Sequence, residues 1–300
     1  MSEKIKVGII GTGNIGTDIL MKLRRSDILE CGIFTGRNPD SAGIAVADKL
    51  GVPISIKSIK AIQDNPGCCD IVFDATSASV HMENIPILKD MGKFVIDMTP
   101  SRTGKMCVPV LNLEECLGEP DVNLVTCGGQ ATVPVAYAIS RVHPETKYME
   151  IVATIASKSA GAGTRDNIDE FTQTTRDALT EFTGIKNTKA IIVLNPAEPP
   201  ITMHNTIYSL IDCPDMDRIR KSVHEMEQNI KKYVPGFKIV MEPVYENGRV
   251  TTILEVTGLG DYLPKYSGNL DIITCAAIEI AENYAKKKMA GGSFGKSYVI

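Results

Sequence analysis

The run Val7-Gly8-Ile9-Ile10 leads directly into Gly11-Thr12-Gly13-Asn14-Ile15-Gly16, and residues 14–25 then carry helical periodicity. A strand that is apolar on both faces has to be covered by helices on both sides, as in parallel sheets. A glycine-rich turn between such a strand and a helix narrows the choice further. Gly11 permits the tight turn, Gly13 allows a pyrophosphate to approach the backbone, Gly16 lets helix and strand pack closely, and the helix N-terminus offers unpaired N–H groups.

The pattern continues as alternating strands and helices: 29–35 then 40–50, 70–74 then 80–90, and a further strand at 93–98. Ile71-Val72-Phe73 is again apolar on both faces. Alternation of this kind predicts a Rossmann-type, doubly wound parallel sheet. From about residue 147 the strands lengthen (148–156, 190–194, 201–209, 238–245, 249–258), and Asn247-Gly248 marks a two-residue hairpin turn. These predict an α+β domain with a mostly antiparallel sheet, covered on one face by helices at 167–182 and 214–233. A last helix, 270–289, returns to the first domain. The division expected is therefore 1–130 with 271–300 for dinucleotide binding, and 131–270 for catalysis and dimerisation.

With 300 residues and a net charge of −4, the chain has no overall basic field for nucleic acid or anionic membrane. Its longest apolar runs are strand-sized, and it begins without a secretory signal pattern. Its eight cysteines show neither CxxC pairs nor zinc spacing with histidine. They read as free thiols of a cytoplasmic protein with no metal site.

A dinucleotide site for NAD usually carries an acid at the end of the second strand. Here that strand ends Phe34-Thr35-Gly36-Arg37-Asn38. Either Arg37 holds the 2′-phosphate of NADP, or Arg37 is a solvated loop charge and Asn38 bonds the ribose of NAD. Residues 121–126 read as a strand and 131–141 as a helix, with Cys127-Gly128-Gly129-Gln130 between them. A cysteine before two glycines is either a packed turn residue or a nucleophile. A helix N-terminus favours thiolate, the amides of Gly128 and Gly129 suit an oxyanion, and strand ends of open sheets gather ligands.

Thr126-Cys127-Gly128-Gly129-Gln130-Ala131-Thr132 closely resembles the motif of acylating acetaldehyde dehydrogenases. The resemblance extends through 157–165, Asp169-Glu170-Phe171-Thr172, 195–200 and Gly268-Asn269-Leu270-Asp271, and so covers essentially the whole chain. It implies conversion of acetaldehyde, NAD and coenzyme A to acetyl-CoA and NADH, with Cys127 as acyl-thioester nucleophile. Cofactor contacts are implied at Thr12 to Ile15, at Ser159, Ala160, Gly161, Ala162, Gly163, Thr164, Arg165, Asp166 and Asn167, and at Asn269. A homodimer, often in complex with a 4-hydroxy-2-oxovalerate aldolase, is implied as well. One departure stands out: the family usually has Arg-Asp where this chain has His204-Asn205. Either His204 acts as base, or the helix dipole alone keeps Cys127 reactive, or activity is altered. The competing expectations are a semialdehyde or phosphorylating dehydrogenase of the same chemistry, and a non-catalytic NAD(P)-binding sensor.

Overall fold

The computed structural model describes residues 4–161, 164–165 and 168–291. The chain divides into two compact units, one formed by residues up to Leu124 together with those from Thr274 on, the other by Val125–Ile273.

The first unit is built on the strands β1 (Ile5–Ile10), β2 (Leu29–Thr35), β3 (Ile54–Ser55), β4 (Ile71–Asp74), β5 (Phe94–Asp97), β6 (Lys105–Met106) and β7 (Asp121–Asn123). They form one sheet in the order β3-β2-β1-β4-β5-β7-β6 with every pairing parallel. Val7, Ile9, Ile71, Phe73, Val95 and Ile96 are fully buried, as strands covered on both faces require. The helices are α1 (Asn14–Leu23), α2 (Ala42–Lys49), α3 (Ile59–Asp64), α4 (Ala78–Asp90) and α5 (Pro109–Cys116). The vicinal thiols Cys68 and Cys69 are buried, 3.8 Å apart.

The second unit holds α6 (Cys127–Ser140), β8 (Tyr148–Ala156), α7 (Ile168–Thr183), β9 (Thr188–Asn195), β10 (Met203–Leu210), α8 (Met216–Lys231), β11 (Phe237–Glu246) and β12 (Arg249–Val256). Its sheet runs β11-β12-β10-β8-β9 and is antiparallel except for β8 and β9, which α7 joins as a parallel crossover. Strict alternation sorts the two faces: Met149, Ile151, Ala153 and Ile155 of β8 are buried, whereas Tyr148, Glu150, Val152 and Thr154 are half-exposed. Asn247 and Gly248 turn the β11–β12 hairpin with φ of 50° and 81°, the double positive φ of a type I′ turn.

Helix α9 (Gly268–Met289) enters the first unit at Thr274. There Thr274 Oγ1 donates to Asp18 (2.6 Å), Tyr284 stacks on Phe94 (4.0 Å between centroids) and Lys288 pairs with Asp70 (2.8 Å). Its closing Lys286, Lys287 and Lys288 complement the helix dipole. No helix among the described residues is long and apolar enough to cross a membrane.

Two boundaries differ from expectation. The strand predicted at 121–126 ends at Asn123, and the helix predicted from 131 starts at Cys127. Val125 breaks the extended run with φ +60°, and Thr126 caps the new helix by accepting from the Gly129 amide. The short elements β3, β6, α3 and α5 carry too few residues for a readable period.

Candidate active site

In the first unit the glycine turn has the shape its sequence demands. Gly11 has φ +113°, and a Cβ there would lie 2.4 Å from Ala75 O. A Cβ on Gly16 would lie 1.9 Å from Gly11 O, whereas Gly13 faces open space. Gly13 is also the N-cap of α1, and no side chain caps that helix. Its first amides are therefore free to meet an anion, and the cradle fits a dinucleotide pyrophosphate. Thr12 is buried and accepts from Ser41 Oγ (2.9 Å), so it holds the turn against α2. Asn14 is exposed and Ile15 half-buried at the mouth of the turn. Beyond β2, Arg37 is exposed, while the exposed Asn38 accepts from the Asp40 amide through Oδ1 (3.0 Å).

In the second unit Cys127 is the first residue of α6. A chain of hydrogen bonds fixes the head of this helix: the Gly129 amide donates to Thr126 Oγ1 (2.9 Å), Thr126 Oγ1 bonds Thr175 Oγ1 (2.7 Å), and Thr175 Oγ1 donates to Phe171 O (2.6 Å). Gly128 is needed because a Cβ would stand 2.9 Å from Phe171 Cζ and 3.2 Å from Ala153 Cβ. Directly upstream, Val125 is a buried β-branched residue at positive φ, a strained conformation that tertiary packing must hold. Nothing in the local sequence announces that strain.

Two expectations about this head need correcting. The Gly129 amide is occupied by Thr126, which leaves the amides of Cys127 and Gly128 at the sulfur. The thiol is also not lowered. Burial pushes Cys127 up to about 12, against the opposing hydrogen bonds from the Gly128 and Cys127 amides. Desolvation of the thiolate outweighs the helix terminus.

Of the loop residues expected at the cofactor, Ala162, Gly163, Asp166 and Asn167 lie outside the described residues. Ser159 is buried and donates to Ala156 O (2.9 Å); Ala160 is buried, Gly161 exposed and Thr164 half-buried. Arg165 is spent on the loop itself, bonding Ala160 O (3.1 Å), Ser157 O and Ser157 Oγ (both 2.8 Å). Asn269 joins this loop through Nδ2 to Ser159 O (3.4 Å), and its Oδ1, fully buried, has no hydrogen-bond partner among the described residues.

Residues 127–264 match the family model described as prokaryotic acetaldehyde dehydrogenase, dimerisation, and residues 6–123 match semialdehyde dehydrogenase, NAD binding domain. An acetaldehyde dehydrogenase of Pectobacterium atrosepticum is 53% identical over 94% of this chain and 96% of its own. One from Geobacillus stearothermophilus is 53% identical over 96% of this chain and 98% of its own. The chain belongs to the acetaldehyde dehydrogenase family. Its fold is also that of an aspartate semialdehyde dehydrogenase II from Vibrio cholerae, at 12% identity, with a TM-score of 0.64 over 93% of this chain and 98% of that one.

Within this acetaldehyde dehydrogenase family member, β10 separates His204 from Asn205. His204 lies on the open face of the sheet, 47% exposed, with Nδ1 3.7 Å from Glu255. Asn205 lies on the opposite, helix-covered face, where its ladder neighbour Ala153 packs under Gly128. Ala153, close under Gly128, is on the Asn205 face of the sheet, and His204 points to the other face. Asn205 is fully buried, and neither its Oδ1 nor its Nδ2 has a hydrogen-bond partner among the described residues.

Proposed function

We propose that the protein oxidises acetaldehyde on Cys127 and transfers the resulting acetyl group to coenzyme A, with NAD as electron acceptor. The observation that carries this reading is the thiol at the first position of α6, with the Cys127 and Gly128 amides directed at it. A carbonyl carbon bonded to that sulfur leaves its oxygen beside the same donors, the geometry of an oxyanion hole.

The sulfur adds to the aldehyde carbon, and the thiol proton ends on the carbonyl oxygen of a hemithioacetal. The nicotinamide cofactor, when bound, accepts hydride from that carbon. The hydroxyl proton passes to water, and Cys127 holds the acetyl group as a thioester. The thiol of coenzyme A then attacks: its acyl–sulfur bond forms, the Cys127–acyl bond breaks, and its proton ends on the Cys127 sulfur. Gly11, Thr12, Gly13, Asn14, Ile15 and Gly16 hold the cofactor pyrophosphate in this reading, and the loop of Ser159 with Asn269 completes its contacts. The exposed Arg37 leaves NADP as a second acceptor to be tried.

We further propose a homodimer, formed through the open face of the second sheet, where Val152, Ile191, Val193, Tyr208 and Ile253 are half-exposed or exposed. An aldolase that supplies acetaldehyde fits as a further partner, and eight cysteines that form no disulfide suit the cytoplasm.

The test is reduced-cofactor formation from acetaldehyde with NAD or NADP, with and without coenzyme A, in the wild type and Cys127→Ala. Turnover that requires coenzyme A and disappears in the variant supports the reading. Equal activity in the two proteins makes Cys127 structural. Turnover with phosphate replacing coenzyme A selects a phosphorylating enzyme, and cofactor binding without any turnover selects a sensor.

A further inference from the structure

The first unit contains a buried charge cluster that the proposed reaction does not use. His81 of α4 is fully buried, with Nδ1 3.1 Å from Asp74 Oδ2 and Nε2 3.5 Å from both Asp97 Oδ2 and Asp121 Oδ1. These aspartates come from β4, β5 and β7 and are themselves buried. Among the described residues, Lys89 at the solvent edge of α4 also faces the cluster, 3.8 Å from Asp121 Oδ2. A neutral imidazole would turn a bare acceptor nitrogen toward a carboxylate, whereas an imidazolium presents a proton on each side: Nδ1 bonds Asp74, and Nε2, with no hydrogen-bond partner among the described residues, faces two carboxylates as an ion pair.

Two of the carboxylates also hold turns. Asp74 Oδ1 accepts from the Thr76 amide (3.1 Å) and hydroxyl (2.5 Å), while Asn84 Nδ2 reaches Asp74 Oδ2 (3.1 Å). Asp97 accepts from the Thr99 amide (2.8 Å), Ser101 Oγ (2.5 Å) and Asn123 Nδ2 (2.7 Å). Both turns leave the carboxyl ends of parallel strands, where dinucleotides bind. The first adjoins the glycine turn directly: the Ala75 amide donates to Ile10 O (2.8 Å), and Ala75 O fills the space a Gly11 side chain would need.

We propose that His81, as a buried imidazolium, is a positioning residue for the cofactor cradle, holding Asp74 and Asp97 and through them the turns at 75–77 and 98–101. The inference rests on the nicotinamide-cofactor reading of the first unit and is independent of the acyl chemistry on Cys127. Burial alone would depress the ring, but the carboxylates of Asp121, Asp74 and Asp97 around it raise it to about 10. The lock therefore holds throughout the neutral range and loosens in alkali.

The experiment is titration of NADH, followed by its fluorescence, into the wild type, His81→Gln and Asp121→Asn between about pH 6 and pH 10, without aldehyde, with melting temperatures recorded alongside. Loss of the lock in His81→Gln is expected to weaken NADH binding about tenfold at neutral pH and to remove the alkaline fall in affinity seen in the wild type. Asp121→Asn is expected to bind as wild type at pH 6 and to lose affinity at a lower pH. In histidine-labelled wild type, the His81 resonance should remain that of an imidazolium to about pH 9. A His81 resonance that titrates near 6.5, or a folded His81→Gln that binds NADH as tightly as wild type, overturns the proposal. If His81→Gln does not fold, Asp121→Asn and the resonance decide it. A wild type that binds no NADH removes the cofactor reading together with the proposal.

Discussion

At Cys127 two opposing effects act on one sulfur. The head of α6 directs amides at it, which favours thiolate, and the surrounding protein removes water from it, which favours thiol. Burial prevails and the thiol is raised to about 12, so the resting protein holds a protonated cysteine at neutral pH. Alkylation of Cys127 by iodoacetamide should accordingly be slow at neutral pH and accelerate about tenfold per pH unit, with no plateau before pH 10. A plateau below pH 9, read from the mass of labelled peptide, would show that the amides dominate instead. From Cys-Gly-Gly between a strand and a helix the residue reads as either a packed turn residue or a nucleophile, and only the family resemblance implies the nucleophile; its ionisation is legible from neither. Which effect prevails depends on how closely the folded protein encloses the sulfur, which no local motif records. His204 and Asn205 show the same limit, because only the pairing register reveals that they face opposite sides of β10.

Among the elements, α6 was legible as a helix and misplaced at its start. Leu124-Val125-Thr126 reads as strand because β-branched residues favour extended backbone, yet Val125 adopts φ +60° and Thr126 becomes a cap. Replacing Thr126 by Val removes the cap and leaves the Gly129 amide and Thr175 hydroxyl without their partner. The cost should be about 1 kcal/mol, seen as a lower denaturation midpoint, with a larger loss of activity than of stability because the Cys127 end of the helix loosens. An unchanged midpoint would mean that packing alone sets the helix start. Helix α4 is held by charge as well as by packing. Its His81, raised from 6.5 to about 10, stabilises the fold fully below pH 6.5, and that contribution is lost as pH rises through 10. Asp97 acts in the same sense at lower pH: burial raises it to about 6, against the charge of His81, so its contribution falls as pH rises from 3.8 through 6. The melting temperature should therefore drop between about pH 8 and pH 10.5 in wild type and much less in His81→Gln. Parallel alkaline slopes in the two proteins would place the lost stability elsewhere. The sequence pattern offered no hint of this cluster, since Asp74, His81, Asp97 and Asp121 become neighbours only through the strand order β4-β5-β7.

For the whole molecule, both sheets were legible for the same reason: doubly apolar short strands demand helices on two faces, and alternating long strands demand them on one. The second pattern also carries a consequence for assembly. In the sheet of the second unit, helices cover the Met149, Ile151 and Ala153 face, while the opposite face presents Val152, Ile191, Val193, Tyr208 and Ile253 among charged neighbours such as Glu150 and Lys189. An apolar patch of this kind on a broad sheet is a cost to a monomer in water and the centre of an interface when two copies meet. A stable pair buries about 800 Å² on each partner, the scale of a sheet face, and charge placed at its centre has no compensating partner across a two-fold axis because the same charge faces it. Val193, 39% exposed on β9, is the position to probe. In Val193→Lys the wild-type dimer should dissociate to a 32.5 kDa monomer by light scattering, with the melting temperature of the fold little changed because the side chain is already at the surface. Val193→Ala should remain dimeric. A lysine variant that stays dimeric would move the interface off this face, and a wild type that is monomeric at micromolar concentration would remove the dimer altogether.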